Sequence, residues 1–150
     1  MPNHASDSAA QRVAEPFLIS ALARELGIPI EPGSPTGLGS PGVKLDGFSS
    51  EHRVLAEAYA RHGVLKPAQR HKVATDVLKM VYVEQVLGGT WRKYLCFADE
   101  DARSCVLGSG WLADAACAFG VEARVYPLPL QVREAVIAAQ KRQVMVNPTP

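Results

Sequence analysis

Residues 43–79 read VKLDGFSSEHRVLAEAYARHGVLKPAQRHKVATDVLK, and the periodicity of the chain changes within them. Residues 43–48 and 53–61 carry the two-residue period of strands. Ser49-Ser50-Glu51-His52 between them is short enough for a hairpin. In the second strand Val54, Ala56, Ala58 and Ala60 face one way, and Leu55, Glu57 and Tyr59 the other. A strand apolar on both faces is a central strand covered from both sides. Pro67 then opens a helix whose core face is Val73, Val77, Met80, Val81 and Leu87, and Gly88-Gly89 stops it.

This reading puts Glu57 in a buried setting, where an unpaired carboxylate is costly. It needs a cation, a lysine or a raised pKa. Asp46 lies on the neighbouring strand, and the pair makes an oxygen-rich site suited to a hard divalent cation such as Mg²⁺ or Mn²⁺. Gln69, Lys72, Asp76 and Lys79 form a stripe bordering the core face of the helix, positioned to look toward that site. A lysine there stabilises charge developing on a phosphate. The competing reading makes Lys72 and Asp76 a simple surface pair one helical turn apart.

Outward from this stretch, the order of elements defines the fold class. Residues 11–26 predict an amphipathic helix on Val13, Phe17, Ala21, Leu22 and Leu26, beginning near Glu15 if Pro16 marks its first turn and closed by Gly27 and Pro29. Residues 28–42, rich in Pro and Gly, predict an irregular connection with a short edge strand near Leu38. Residues 91–98 predict a strand and 121–127 another. Between them an alanine-rich helix runs to Phe119, with Gly108 and Gly110 positioned to break it. Pro129 opens a last helix to about Arg142. A hairpin followed by alternating helix and strand implies an α/β fold, with a mixed central sheet of four to five strands and helices on both faces. Length predicts one domain over residues 11–142, with 1–10 and 143–150 as flexible tails.

Composition narrows the function classes. With 16 Lys+Arg against 15 Asp+Glu, net charge is +1, so no global field demands a polyanion. Residues 52–79 nevertheless hold six basic residues (Arg53, Arg61, Lys66, Arg70, Lys72, Lys79) against Glu57 and Asp76, a local +4. A basic patch around two carboxylates favours a polyanionic ligand. Cys96, Cys105 and Cys117 lack CxxC spacing and read as free, buried thiols, which with no signal-like leader and no membrane-length apolar run points to the cytoplasm. The four His residues lack zinc-ligand spacing, and the Gly-x-Gly pairs are too short for a phosphate cradle.

In this order of elements, Leu45-Asp46-Gly47 and Glu57 resemble the first acid and the (D/E)xK acid of the PD-(D/E)xK nuclease-like (restriction-endonuclease-like) superfamily. The resemblance covers about residues 13–140 and implies a Mg²⁺- or Mn²⁺-dependent phosphodiester hydrolase acting on DNA. Asp46 and Glu57 would be its metal ligands, and Asp46, Glu57 and Lys72 its catalytic residues. The chain departs from the pattern at Tyr59, where the family places its lysine, and Lys72 on the following helix is the expected replacement, with Lys79 behind it. Gln69 is similar to a glutamine of exonuclease-like members, Asp76 borders the same stripe, and Glu25 on the first helix is the candidate extra acid. Arg61, His62, Lys66 and Arg70 would follow the nucleic-acid backbone. The alternative is an inactive nuclease-fold module that binds nucleic acid or a protein partner. The small size of the domain also suggests a homodimer or a partner protein.

Overall fold

The computed structural model describes residues 2–39 and 42–146. Its elements run α1 (Pro2–Leu26), β1 (Glu31–Gly33), β2 (Leu45–Ser49), β3 (Val54–Tyr59), α2 (Pro67–Leu87), β4 (Arg92–Phe97), α3 (Glu100–Leu107), α4 (Trp111–Ala118), β5 (Val121–Val125) and α5 (Leu130–Val146). The strands form one mixed five-stranded sheet in chain order. β1, β2 and β3 pair antiparallel, and β3, β4 and β5 pair parallel. The α/β class and the mixed sheet therefore stand as expected.

The alternation along β3 sorts the molecule into two cores. Leu55 and Tyr59 pack with Val73, Val77, Met80 and Val83 of α2 and with Ala102 and Val106 of α3. Val54, Ala56 and Ala58 pack with Ala14, Leu18 and Leu22 of α1 and Val136 of α5. Every residue of β3 is buried, because helices cover both faces and paired strands cover both edges. Among the described residues, no helix is long and apolar enough to cross a membrane.

Four expectations are revised. Residues 2–10, expected to be a loose tail, continue α1 with Pro16 inside it, and α5 runs on through 143–146; residues 147–150 lie outside the described residues. The run SDSAAQ offers no helix breaker, and packing along the sheet holds α1 through the missing Pro16 N–H. The buried stripe of α1 is Ala14, Leu18, Ile19 and Leu22, whereas Val13 and Phe17 are 64% and 42% exposed. The true stripe is turned by about one residue, roughly 100° on a helix of 3.6 residues per turn. The edge strand is Glu31–Gly33 rather than near Leu38, which packs onto the α2-side core instead. Pro32 fits there because an edge strand has one side without ladder partners. Finally, Cys96 is buried as expected, but Cys117 is exposed.

Candidate active site

The β2–β3 ladder positions the two acids. Its register pairs Ser49 with Val54, Phe48 with Leu55 and Gly47 with Ala56. One step further along that register brings Asp46 level with Glu57, and cross-strand neighbours share a face. There a side chain takes over from the ladder, for the Ala58 N–H donates to Asp46 Oδ2 at 2.8 Å. Asp46 stands close enough to act on the Glu57 carboxyl. Glu57 is 1% exposed. Burial first, then the hydrogen bond and negative charge of Asp46, push its pKa up to about 8. At neutral pH Glu57 therefore keeps its proton.

α2 brings the cations. Lys79 Nζ lies 2.6 Å from Glu57 Oε1, an ion-pair contact whose angles fall outside a hydrogen bond, and 3.4 Å from Asp76 Oδ1. Asp76 is buried, and its Oδ2 accepts from the Tyr59 hydroxyl at 2.7 Å and from Lys72 Nζ at 3.0 Å. Lys72 Nζ also sits 5.1 Å from the centre of the Tyr59 ring, which stacks on Phe97. Burial would lower the Lys72 pKa, but Asp76, Asp46 and Glu57 together outweigh it and hold the ammonium above its ordinary value. The Tyr59 phenol is driven well upward by burial and by Asp76, so it acts only as a donor. Lys79, not Lys72, is thus the lysine in contact with Glu57. Lys72 stands two turns before Lys79 on α2, tied to Asp76 and packed against Tyr59.

A third carboxyl approaches from the other helix layer. Glu15 of α1 is half-buried, and burial followed by the charge of Asp46 raises its pKa to about 7. It comes close because Gly47 lets α1 settle onto β2: a Cβ there would meet Ile30 and Ile19 at 2.7 and 2.8 Å. Glu15 is one turn before Ile19 on the same helix. Sequence reading missed it, because the misplaced apolar stripe turned it toward solvent; the Ala14–Leu18–Leu22 spacing carried the signal. Glu25, the acid chosen instead, lies ten residues or about 15 Å further along α1. It accepts from Tyr126 and pairs with Arg124 at the β5 edge, so it does not join the site.

Two hollows flank Glu15. A groove of about 530 Å³ runs between α1 and the β1–β2 edge, lined by Arg12, Glu15, Lys44 and Asp46 among others. A cleft of about 60 Å³ lies between α1, the end of β3 and α2, lined by Gln11, Glu15, Arg61, Gln69 and Lys72 among others. Gln69 also accepts the Lys66 N–H and so helps to cap α2. Lys66 and Arg70 are exposed near the start of α2, and Arg70 Nε donates to the Leu65 carbonyl. His62 is tied through its backbone to Gln140 of α5 and lines the groove along that helix, not the cleft.

Among the described residues, no three His, Cys, Asp or Glu side chains converge as a metal cage. A Mg²⁺-type ion does not require one, since it retains several waters and binds through one or two carboxylates. The donor chemistry fits such an ion. Asp46 and Glu57 are oxygen ligands held side by side against their own repulsion, and Glu57 Oε1 faces the Lys79 ammonium, which a metal ion there would have to share or displace. No family model, curated protein or solved structure matches the chain.

Proposed function

We propose that the chain is a nuclease-like, metal-dependent phosphodiester hydrolase acting on DNA, built on a restriction-endonuclease-like variant of its mixed sheet. One observation carries the reading: Asp46 and Glu57 stand level on adjacent strands, with lysines of the neighbouring helix on Glu57 and Asp76. Asp46 and Glu57 would hold Mg²⁺ or Mn²⁺, which when bound polarises a phosphate and makes a water more acidic. Lys72 places a positive charge at the cleft, where it stabilises the extra negative charge of a phosphate under attack. Tyr59 and Asp76 fix where that ammonium sits. Arg12 and Lys44 along the groove offer a salt-sensitive path for the nucleic-acid backbone.

A second reading has its own support. Lys79 already touches Glu57, and Asp76 is satisfied by Tyr59, Lys72 and Lys79. Such a set holds a fold together without catalysis, leaving a module that binds nucleic acid or a protein. Plasmid nicking in Mg²⁺ or Mn²⁺ separates the two. Wild type should cut, Asp46→Asn should not, and Lys72→Ala should lose cutting while a metal-induced rise in melting temperature persists. No cutting and no metal effect on wild-type melting would favour the inactive module.

A further inference from the structure

Four charged side chains are buried among the described residues: Glu57, Asp76, Lys93 and Arg61. The first three have partners. Glu57 has Lys79, Asp76 has Tyr59 and two lysines, and Lys93 has Glu84 at 2.7 Å. Arg61 has none. It is 9% exposed, its Nε lacks any acceptor, and burial with no opposing charge lowers its pKa. Arginine is almost never buried unless paired, because an uncompensated interior charge is costly. Its guanidinium presents a rigid fork of donors matched to oxyanions, phosphate above all.

Arg61 borders two hollows. On one side is the cleft of about 60 Å³ shared with Gln69 and Lys72. On the other is a wider groove of about 640 Å³ along α5, lined by His62, Ile137, Gln140 and Lys141 among others. The cleft has room for about two waters at roughly 30 Å³ each, the scale of a small oxyanion and not of a nucleoside. Lys72 and Gln69 add an ammonium and an amide to its wall. Glu15 is in the same wall, and its raised pKa of about 7 lessens its repulsion of an anion. Arg61 lies four residues beyond Glu57, at most about 13 Å along an extended chain. The cleft adjoins the carboxylate pair, for Lys72 stands both in its wall and on Asp76, so Lys72 would serve a phosphate held there together with one under attack.

We propose that Arg61, with Lys72 and Gln69, forms a receptor for the phosphate monoester at the end of a polynucleotide strand. The polynucleotide rests on the nuclease reading; the affinity for phosphate does not. The test is made without divalent metal, so that nothing is cut. Fluorescent single-stranded oligonucleotides carrying a 5′-phosphate, a 3′-phosphate or only hydroxyl ends are titrated with wild type, Arg61→Met and Arg61→Lys. One phosphorylated form should bind wild type roughly tenfold tighter than the hydroxyl form. Arg61→Met should level the two, Arg61→Lys should fall between, and tens of millimolar inorganic phosphate should erase the preference. In chloride buffer Arg61→Met should also melt above wild type, since an unpaired buried charge is gone, and phosphate should raise the melting temperature of wild type only. Should the methionine variant fail to fold, Arg61→Lys carries the same comparison. Equal affinity of wild type for all three oligonucleotides, or a preference that survives in Arg61→Met, overturns the receptor. Cleavage in Mg²⁺ without end preference defeats this inference alone, and end preference without cleavage defeats the catalytic reading alone.

Discussion

Replacing Glu57 by glutamine keeps the shape of the side chain and removes its titration. In the folded chain Glu57 titrates near 8, against an ordinary value of 4.5. Between those values the folded protein holds a proton that the unfolded chain has released. Its contribution is therefore complete below about pH 4.5 and is lost as the pH rises through 8. At about 1.4 kcal/mol per pH unit the whole shift, with the Lys79 ammonium already counted in it, has an upper bound near 5 kcal/mol, and the interval from pH 5 to pH 8 spans most of it. A loss on the order of 3 kcal/mol is a fall of roughly 6–12 °C in melting temperature for a chain of this size. Melting curves of wild type from pH 5 to pH 9 should show that fall, and Glu57→Gln should show much less. Glu15, raised to about 7 for similar reasons, leaves a smaller slope of the same sign, which Glu15→Gln should remove. Metal-free Glu57→Gln should match or exceed wild type at pH 8 and should lose any stabilisation by Mg²⁺ or Mn²⁺. Parallel pH profiles for the two proteins would refute the raised pKa of Glu57. A large loss in Glu57→Gln at every pH would show instead that Lys79 depends on a permanent carboxylate.

Two further substitutions test the surroundings of the pair. Tyr59→Phe deletes a buried donor to Asp76 and should cost about 1–2 kcal/mol by urea denaturation, while Lys72→Ala removes a half-exposed ammonium from a carboxylate that keeps Tyr59 and Lys79, and should cost under about 1 kcal/mol. The reverse ranking would mean that Lys72, not Tyr59, anchors Asp76. Lys79→Met withdraws the ammonium from Glu57 and Asp76, so stability should fall by about 1–3 kcal/mol at pH 8 and by less at pH 5, where Glu57 is protonated. An equal loss at both pH values would refute the assignment of Lys79 to Glu57.

Local pattern sufficed for much of this molecule. Alternation marked β3 as a central strand, Pro67 and Gly88 bounded α2, and two acids on neighbouring strands placed Asp46 beside Glu57. These features depend on residues close in sequence, where a period of two or 3.6 leaves a readable trace. The other features were decided by packing between distant segments. Which face of α1 is buried depended on Gly47 admitting Ile19 onto β2, and that contact brought Glu15 to the site in place of Glu25. The choice of Lys79 over Lys72 as the neighbour of Glu57 followed from how α2 lies across the sheet, with Tyr59 holding Asp76 between the two lysines. Arg61 was legible as a basic residue in a basic stretch. That it is buried without a counter-ion among the described residues follows only from α1, α2 and α5 closing around the end of β3, because desolvation belongs to the assembled layers and to no segment alone.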